Sequence, residues 1–159
     1  MTGSAPEMAV VVRHADAGDA PVVARAVAAL LTELGATPPD AAAMEDAARA
    51  VIGTGDAVLL AEEDGATVGV LAASWITTVH AGGMYALIQD LWVDGTRRGA
   101  GAGADLMAAF CALAEARGAT RIEVGIPRDT FAGLADTRRF YERNGFELVG
   151  ARMRRRTGR

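Results

Sequence analysis

The sequence is poor in the residues that build disulfide scaffolds and metal centres. Its 159 residues include one cysteine, Cys111, and two histidines, His14 and His80, which lie far apart in the chain. A disulfide framework, a cysteine-rich metal site and a zinc site built on the two histidines are therefore not expected. We expect no metal ion, and we interpret Cys111 as a packing residue rather than a nucleophile.

Long apolar runs and a targeting segment are also missing. No uninterrupted apolar stretch approaches the roughly 20 residues that span a bilayer. The opening residues, MTGSAPE, have neither the basic region nor the apolar core of a signal peptide. These absences predict a cytoplasmic protein with no membrane partner, and we expect residues 1–7 to be a flexible N-terminus.

Lysine is absent, so that all 16 basic residues are arginines, and the formal net charge is −4. A net negative charge argues against nucleic acid as a partner. The arginine-rich end, 153–159, is interpreted as a solvated tail, and a surface for acidic partners is the alternative. Because the chain has no repeat and no long linker, its length predicts a single domain over 8–152.

The spacing of apolar residues predicts the element order β-α-α-β-β-β-α-β-α-β. The predicted strands are 8–13, 57–61, 67–76, 84–93, 120–126 and 146–150, and the predicted helices are 22–34, 38–53, 105–117 and 137–144. Asp16 or Asp19 is expected to cap the first helix and Asp136 the last one. Gly145 is expected in the left-handed conformation that ends a helix.

A glycine-rich stretch, Arg97–Ala104, connects the fourth predicted strand to the third predicted helix. The first amides of a helix have no intrahelical partner, and the aligned peptide dipoles make that end partly positive. Glycines let the backbone approach a phosphate closely, and Arg98 adds a fixed positive charge. The stretch therefore predicts an anion site, although short glycine-rich loops also hold nucleotides or simply turn corners.

Two sequence motifs carry a resemblance to a known family. The loop has the pattern Arg-x-x-Gly-x-Gly at Arg98, Gly101 and Gly103, and a Tyr-Glu-x-x-Gly-Phe motif begins at Tyr141. At this separation and in this element order, the motifs resemble the GCN5-related N-acetyltransferase (GNAT) superfamily over roughly 8–152. The resemblance implies an α/β (α+β) fold with a mixed, mostly antiparallel sheet of six or seven strands flanked by four helices. It also implies an enzyme that moves an acetyl group directly from acetyl-CoA, its co-substrate, to an amine.

By this resemblance, the loop amides hold the pyrophosphate of CoA, and the end of the fourth strand pairs with its pantetheine arm. The residues in these roles are Leu91, Trp92, Val93, Arg98, Gly99, Ala100, Gly101, Ala102, Gly103 and Ala104. An amide of the same strand would be the oxyanion donor. The alternative for Trp92 is a plain core or rim aromatic. Leu134 stands where the family often has a CoA-binding asparagine, so that contact is lost or comes from Asp129, Thr130 or a backbone group.

Tyr141 matches the family's acid, which protonates the departing thiolate; the alternative is a half-buried helix tyrosine. Gln89, which cannot act as a base, stands where many members have the glutamate that does, so the base must be a different group. The neighbouring Asp90 is one candidate and a water chain is another. Neighbouring strand residues face opposite ways unless a bulge re-aims one of them. Asp90 could instead be an edge acid paired with an arginine.

The resemblance places the acceptor site around the first two helices, the turn between strands three and four, and the cleft between strands four and five. The candidate acceptor-binding residues are Glu33, Trp75, His80, Tyr85 and Asp129. We expect a small-molecule amine, such as an antibiotic, an amino sugar, an amino acid or a polyamine-like compound. The alternatives are a catalytically idle acyl-CoA-binding module and an acetyltransferase of a protein N-terminus. A homodimer is left open.

Overall fold

The computed structural model describes residues 9–158, so the segment expected to be a flexible N-terminus lies outside the described residues. The described chain forms two compact units, one ending at Val124 and the other beginning at Gly125. The first unit contains every strand and three α-helices of the described chain, and the second contains one further helix.

The boundaries of the elements are close to those predicted in the first unit. The strands are β1 (Val11–His14), β2 (Ala57–Glu63), β3 (Ala66–Thr78), β4 (Gly83–Val93) and β5 (Ile122–Val124). The helices are α1 (Ala20–Glu33), α2 (Ala41–Gly53), α3 (Ala102–Ala116) and α4 (Leu134–Arg143), with a short 3-10 helix, Ala17–Asp19, before α1.

The strands form one mixed sheet in the order β1-β2-β3-β4-β5. The first four are antiparallel neighbours, and β5 lies parallel to β4 after a crossover through α3. Parallel neighbours need such a long connection, whereas antiparallel ones can be joined by short turns. The predicted α/β class and the mostly antiparallel sheet are confirmed.

The predicted number of six or seven strands was wrong, because the described residues form five. The segment 146–150 has no strand partner among them, and it leaves Leu148 and Val149 58% and 79% exposed. The N–H of Phe146 bonds instead to the carbonyl of Tyr141, at the end of α4. Apolar side chains indicate what could be buried, but a strand also needs a neighbouring backbone to pair with.

All four α-helices begin two or three residues away from their predicted starts. α3 begins at Ala102 rather than Asp105, and α4 begins at Leu134 rather than Thr137. Asp136 therefore lies within the first turn of α4, where it pairs with Arg139 and does not cap the helix. An acidic residue in the first turn is still favoured by the helix dipole.

The two candidate caps of α1 have different partners. Asp16 accepts a hydrogen bond from the N–H of Gly18 at 2.8 Å and so caps the short 3-10 helix. Asp19 stands at the cap position of α1 but makes no capping bond there. Its carboxylate pairs with Arg13 at 2.7 Å, which ties the start of α1 to β1.

Helices cover both faces of the sheet. α1 and α2 pack on the face that carries Val58, Leu60 and Val70. Successive strand residues alternate between faces, so Gly69 lies on the other face, where α3 packs. A Cβ at Gly69 would lie 2.9 Å from Cδ1 of Leu106, and only glycine therefore allows α3 to approach this closely.

Candidate active site

β4 runs past the end of β5 and leaves part of one edge without a strand neighbour. β5 ends at Val124, opposite Ile88. The following β4 residues, 89–93, have no strand partner on that side among the described residues. This open edge could accept an extended ligand as an added strand.

The direction of the backbone amides identifies the groups at the open edge. The N–H of Asp94 bonds to the carbonyl of Val68 on β3 at 2.9 Å. Amide directions alternate along a strand, so the N–H groups of Leu91 and Val93 point away from β3, toward the open edge. Two backbone donors without an acceptor in the described part of the chain therefore lie along this part of β4.

A β-bulge interrupts β4 where the open edge begins. The register places Asp90 opposite Ala72 and Ile88 opposite Ala73, so that Gln89 is the extra residue. A bulge sets two consecutive residues against one and breaks the alternation of side chains between the two faces.

The bulge turns Gln89 and Asp90 toward the same face of the sheet. Gln89 Nε2 lies 3.5 Å from the Oγ of Ser74, and Ser74 shares a face with Ala72, which packs among the buried residues of α1 and α2. Asp90, opposite Ala72, lies on this face too. The sequence raised the possibility that a bulge re-aims one of the two side chains, and the structure contains that bulge.

Asp90 is half-buried, and desolvation is the physical cause that raises the pKa of its carboxyl above the usual value. Among the described residues, no arginine forms an ion pair with it. The charge of the carboxylate is thus not compensated by a cation. Desolvation disfavours the ionised form and makes the carboxylate a stronger proton acceptor.

The chain leaves β4 through a turn organised by Asp94. Its Oδ1 accepts hydrogen bonds from both the N–H and the hydroxyl of Thr96 at 2.9 Å, and these bonds lower the pKa of Asp94. Further along, Gly99 and Gly101 adopt φ values of +87° and +93°, and nothing lies within 4 Å of where a Cβ would stand. The loop backbone is therefore accessible.

The start of α3 offers unpaired donors beside this loop. Gly101 occupies the cap position in the left-handed conformation, and no side chain caps the helix. The first amides, including those of Gly103 and Ala104, have no intrahelical acceptor and can bind an anion. This combination of open glycine backbone and free helix amides fits a pyrophosphate group.

Both arginines of the loop form ion pairs with carboxylates. Arg97 pairs with Glu63 at the end of β2, and Arg98 pairs with Glu33 at the end of α1. The Glu63 side chain is 15% exposed, whereas those of Glu33 and Arg98 are 38% and 54% exposed. A phosphate that binds Arg98 must compete with Glu33.

Trp92 places its side chain in the core. The indole packs against the buried residues of α1, α2 and the sheet, and its Nε1 is buried without an acceptor among the described residues. The Trp92 side chain thus agrees with the alternative interpretation, a core aromatic. This finding concerns the side chain alone, whereas the role implied by the resemblance was one of the backbone.

The second unit contains Tyr141, which is buried on α4. Its ring makes edge contacts with the rings of Phe140 and Phe146, with centroid distances of 5.2 and 5.4 Å. Burial raises the pKa of the Tyr141 hydroxyl to about 12. The phenol is therefore protonated at neutral pH and can donate a proton.

Comparison with known proteins identifies the family. A family model described as the acetyltransferase (GNAT) family matches residues 27–146. The chain belongs to the GNAT acetyltransferase family. Among curated proteins, no sequence matches this chain significantly.

Solved structures with the same fold cover nearly the whole chain. A candidate acetyltransferase from Arthrobacter sp. FB24 has 30% identity and a TM-score of 0.74, with 98% of this chain and 97% of that chain covered. An aminoglycoside acetyltransferase from an uncultured soil metagenomic sample has 21% identity and a TM-score of 0.77, with 95% and 100% covered. A ribosomal-protein-alanine N-acetyltransferase from Brucella melitensis biovar Abortus 2308 has 21% identity and a TM-score of 0.74, with 94% and 100% covered.

The candidate acceptor residues of this GNAT chain lie in different surroundings. Glu33 is engaged with Arg98, as described. Trp75 lies on the α3 face of the sheet, where its ring stacks on Phe110 at 5.8 Å. Tyr85 pairs with Ile76 and therefore lies on the opposite face, the one that carries Asp90. Trp75 and Tyr85 do not line a common site.

The remaining candidates belong to loops. His80 lies in the turn before β4, with its ring 6.3 Å from that of Tyr85. In the second unit, Asp129 is exposed in the loop before α4, and Leu134 is the first residue of α4. Sequence reasoning missed two partners, Ser74 beside Gln89 and Glu63 beside Arg97, because no local pattern connects residues that are 15 and 34 positions apart.

Two further findings concern residues 9–158. No helix among them is long and apolar enough to cross a membrane. No group of three or more histidine, cysteine, aspartate or glutamate side chains among them is arranged to hold a metal ion.

Proposed function

We propose that the protein is an acetyl-CoA-dependent N-acetyltransferase that acts on a primary amine of a small molecule. The observation that carries the proposal is the continuity of three features along one stretch of chain. These are the bulge at Gln89, the open β4 edge with the N–H groups of Leu91 and Val93, and the glycine loop that ends at the free amides of α3.

Each feature supplies one part of a CoA site. The loop amides and Arg98 bind the pyrophosphate, and the N–H of Val93 pairs with the pantetheine arm as an added strand would. The N–H of Leu91, next to the bulge, donates to the oxygen on which negative charge develops. Acetyl-CoA supplies the activated acetyl group, and the chain's own residues bind and orient it.

Asp90 is the proposed base of the reaction. An amine must lose its proton before it attacks, and a half-buried carboxylate with a raised pKa accepts a proton more readily than an exposed one. Its position on the α1 and α2 face is shared with Tyr85, which we propose as an acceptor-binding residue. A chain of water molecules is the alternative acceptor of the amine's proton.

Tyr141 is the proposed acid, on the basis of the family motif and of its protonated hydroxyl. It would give its proton to the departing sulfur, so that CoA leaves as a thiol. Because burial holds the pKa of the phenol near 12, the residue needs no prior activation to donate at neutral pH.

A small cationic acceptor is the substrate class best supported. The formal net charge of −4 favours encounter with cations over anions. One structural neighbour is an aminoglycoside acetyltransferase and another is a ribosomal-protein-alanine N-acetyltransferase. We therefore place amino sugars and polyamines first and a protein N-terminus second.

A thiol-release assay with acetyl-CoA tests the proposal. The panel contains aminoglycosides, polyamines, amino acids and peptides that begin with alanine, and CoA binding is measured separately by calorimetry. Turnover of a small amine supports the proposal, whereas turnover of peptides alone would select the protein N-terminus. CoA binding without turnover of any amine would instead identify an acyl-CoA-binding module.

A further inference from the structure

A second concave site lies at the end of the sheet where β1 ends and β2 begins. It is a cavity of about 360 Å³ between the C-terminal ends of α2 and α3. This volume is within the range of small-molecule sites. The residues that define its chemistry are His14, Ile52, Asp56, Trp75, Leu113 and Arg117.

The cavity is separate from the proposed CoA site. Arg117 follows the last residue of α3, whereas the glycine loop precedes the first. The 15 residues of α3 lie between the two sites, a length of about 22 Å at the rise of an α-helix. A molecule bound in this cavity would thus not occupy the pyrophosphate site.

Arg117 brings a positive charge to the cavity without a carboxylate partner among the described residues. Its guanidinium lies over the ring of Trp75, 4.8 Å from the centroid. Its only hydrogen bond in the described chain, to the carbonyl of Gly55, is long at 3.4 Å. Most of the guanidinium donors are therefore available to a ligand.

Asp56 also lines the cavity but is not paired with Arg117 among the described residues. β3 extends past the start of β2, and Asp56 accepts the N–H of Trp75 at 3.2 Å where a strand partner would otherwise lie. One carboxylate oxygen thus binds the backbone of β3, and among the described residues Asp56 forms no ion pair with Arg117. Because Asp56 keeps its negative charge, an anion in the cavity must lie against Arg117 and away from this carboxylate. Ile52 and Leu113 add apolar side chains to the lining.

We propose that this cavity binds a small monocarboxylate with an apolar body. The carboxylate takes the guanidinium of Arg117, and the apolar body lies against Ile52 and Leu113. The C-terminal ends of α2 and α3 each oppose an anion by about two- to five-fold in affinity, which is about three- to thirty-fold together. A bidentate guanidinium–carboxylate pair supplies two charge-assisted hydrogen bonds, each worth about ten-fold or more, so that Arg117 decides the preference.

Hexanoate is a suitable probe, and hexylamine is the matched probe of opposite charge. The chain contains two tryptophans, and their indole N–H signals are resolved by NMR and assigned with Trp92→Phe. Hexanoate should shift the Trp75 signal saturably, with a Kd of about 1 mM for a ligand of this size. Hexylamine should leave the signal unchanged.

Arg117→Gln should weaken hexanoate binding at least ten-fold. Arg121→Gln is the matched control, because Arg121 also lies over an aromatic ring, Tyr85 at 5.2 Å, but does not line the cavity. CoA calorimetry on both variants should be normal, which shows that they are folded and keeps this test separate from the proposed function. Equal hexanoate affinity in Arg117→Gln, or no saturable binding below about 10 mM, would overturn the proposal.

Discussion

At the scale of single residues, the hydroxyl of Tyr141 is the sharpest test of the proposed mechanism. Tyr141→Phe should lower kcat and kcat/KM together by roughly 10- to 10³-fold, because the proton is needed in the transition state and hardly at all in the ground state. CoA affinity and folding should remain near wild type, since the ring contacts with Phe140 and Phe146 survive. Steady-state kinetics and CoA calorimetry measure these effects.

Tyr141→Ala is the companion variant. If Tyr141 only packs, Tyr141→Phe should keep the wild-type kcat, whereas Tyr141→Ala should bind CoA more weakly. That outcome would exclude Tyr141 as the acid. The pH profile adds a check on the same group. Since the pKa of Tyr141 is about 12, this residue should cause no alkaline loss of activity below about pH 10.

Asp90→Asn tests the base. The rate should fall on the order of 10²-fold, most strongly at low pH, where unassisted deprotonation of the amine is hardest. If Asp90→Asn keeps the wild-type pH–rate profile, a water chain and not Asp90 removes the proton from the amine.

The stability of the same variant has a predicted sign. Burial raises the pKa of Asp90 above the ordinary 3.8, so the folded state holds this proton more tightly than the unfolded state does. The stability of the wild-type protein therefore falls as the pH rises from 3.8 through the raised pKa of Asp90. The Asn variant has no ionisable group at this position and does not lose this stability. Asp90→Asn should raise Tm at pH 7 and have little effect below pH 3.8. Asp94→Asn is the control of opposite sign, since the pKa of Asp94 is lowered.

At the scale of elements, the start of α3 is the proposed phosphate site. Gly103→Asp places a side chain and a negative charge in its first turn, and CoA affinity should fall by at least ~1.4 kcal/mol, a factor of ten. Ala112→Asp adds the same charge to an exposed position later in α3 and should change CoA affinity far less. Equal calorimetric affinities for wild type and Gly103→Asp would rule out this loop as the phosphate site.

The ion pair between α1 and the loop makes a second prediction at this scale. Glu33 forms an ion pair with Arg98, and this pair must break before Arg98 binds a phosphate. Glu33→Gln should therefore tighten CoA binding by up to about five-fold, because an exposed ion pair contributes about that much. Glu45→Gln is the control, since Glu45 pairs with Arg49 at similar exposure but on α2. Weaker CoA binding by Glu33→Gln would mean that Glu33 orients Arg98 and does not compete for it.

At the scale of the whole molecule, the net charge of −4 should act on the encounter with the acceptor. For two amines that both turn over, kcat/KM of a polyamine should fall more steeply with ionic strength than that of a monoamine, because salt screens long-range attraction. The comparison uses one enzyme and one CoA concentration, so effects on the cofactor cancel. Parallel salt dependences would contradict steering by the net charge.

The sequence was sufficient for the features that depend on local spacing. Apolar periodicity predicted all five observed strands and four helices, and Gly145 takes its left-handed conformation because the end of a helix favours glycine there. The glycine loop was predictable for the same reason, since strand, loop and helix start are adjacent in the chain. Family membership followed from two motifs and their order.

Tertiary structure decided the features that depend on distant partners. No local pattern reveals that Gln89 is the bulged residue, because the bulge exists only in the register with β3. The segment 146–150 had the composition of a strand but has no strand partner among the described residues.

The partners of charged side chains were decided in the same way. The pairing of Glu33 with Arg98 joins residues 65 positions apart, and the cavity beside Arg117 collects residues from β1, β2, β3, α2 and α3. The sequence determined the elements and the loop, because hydrophobic period, caps and glycines act on neighbours. The structure determined which charges and edges are left free, because those depend on what packs beside them.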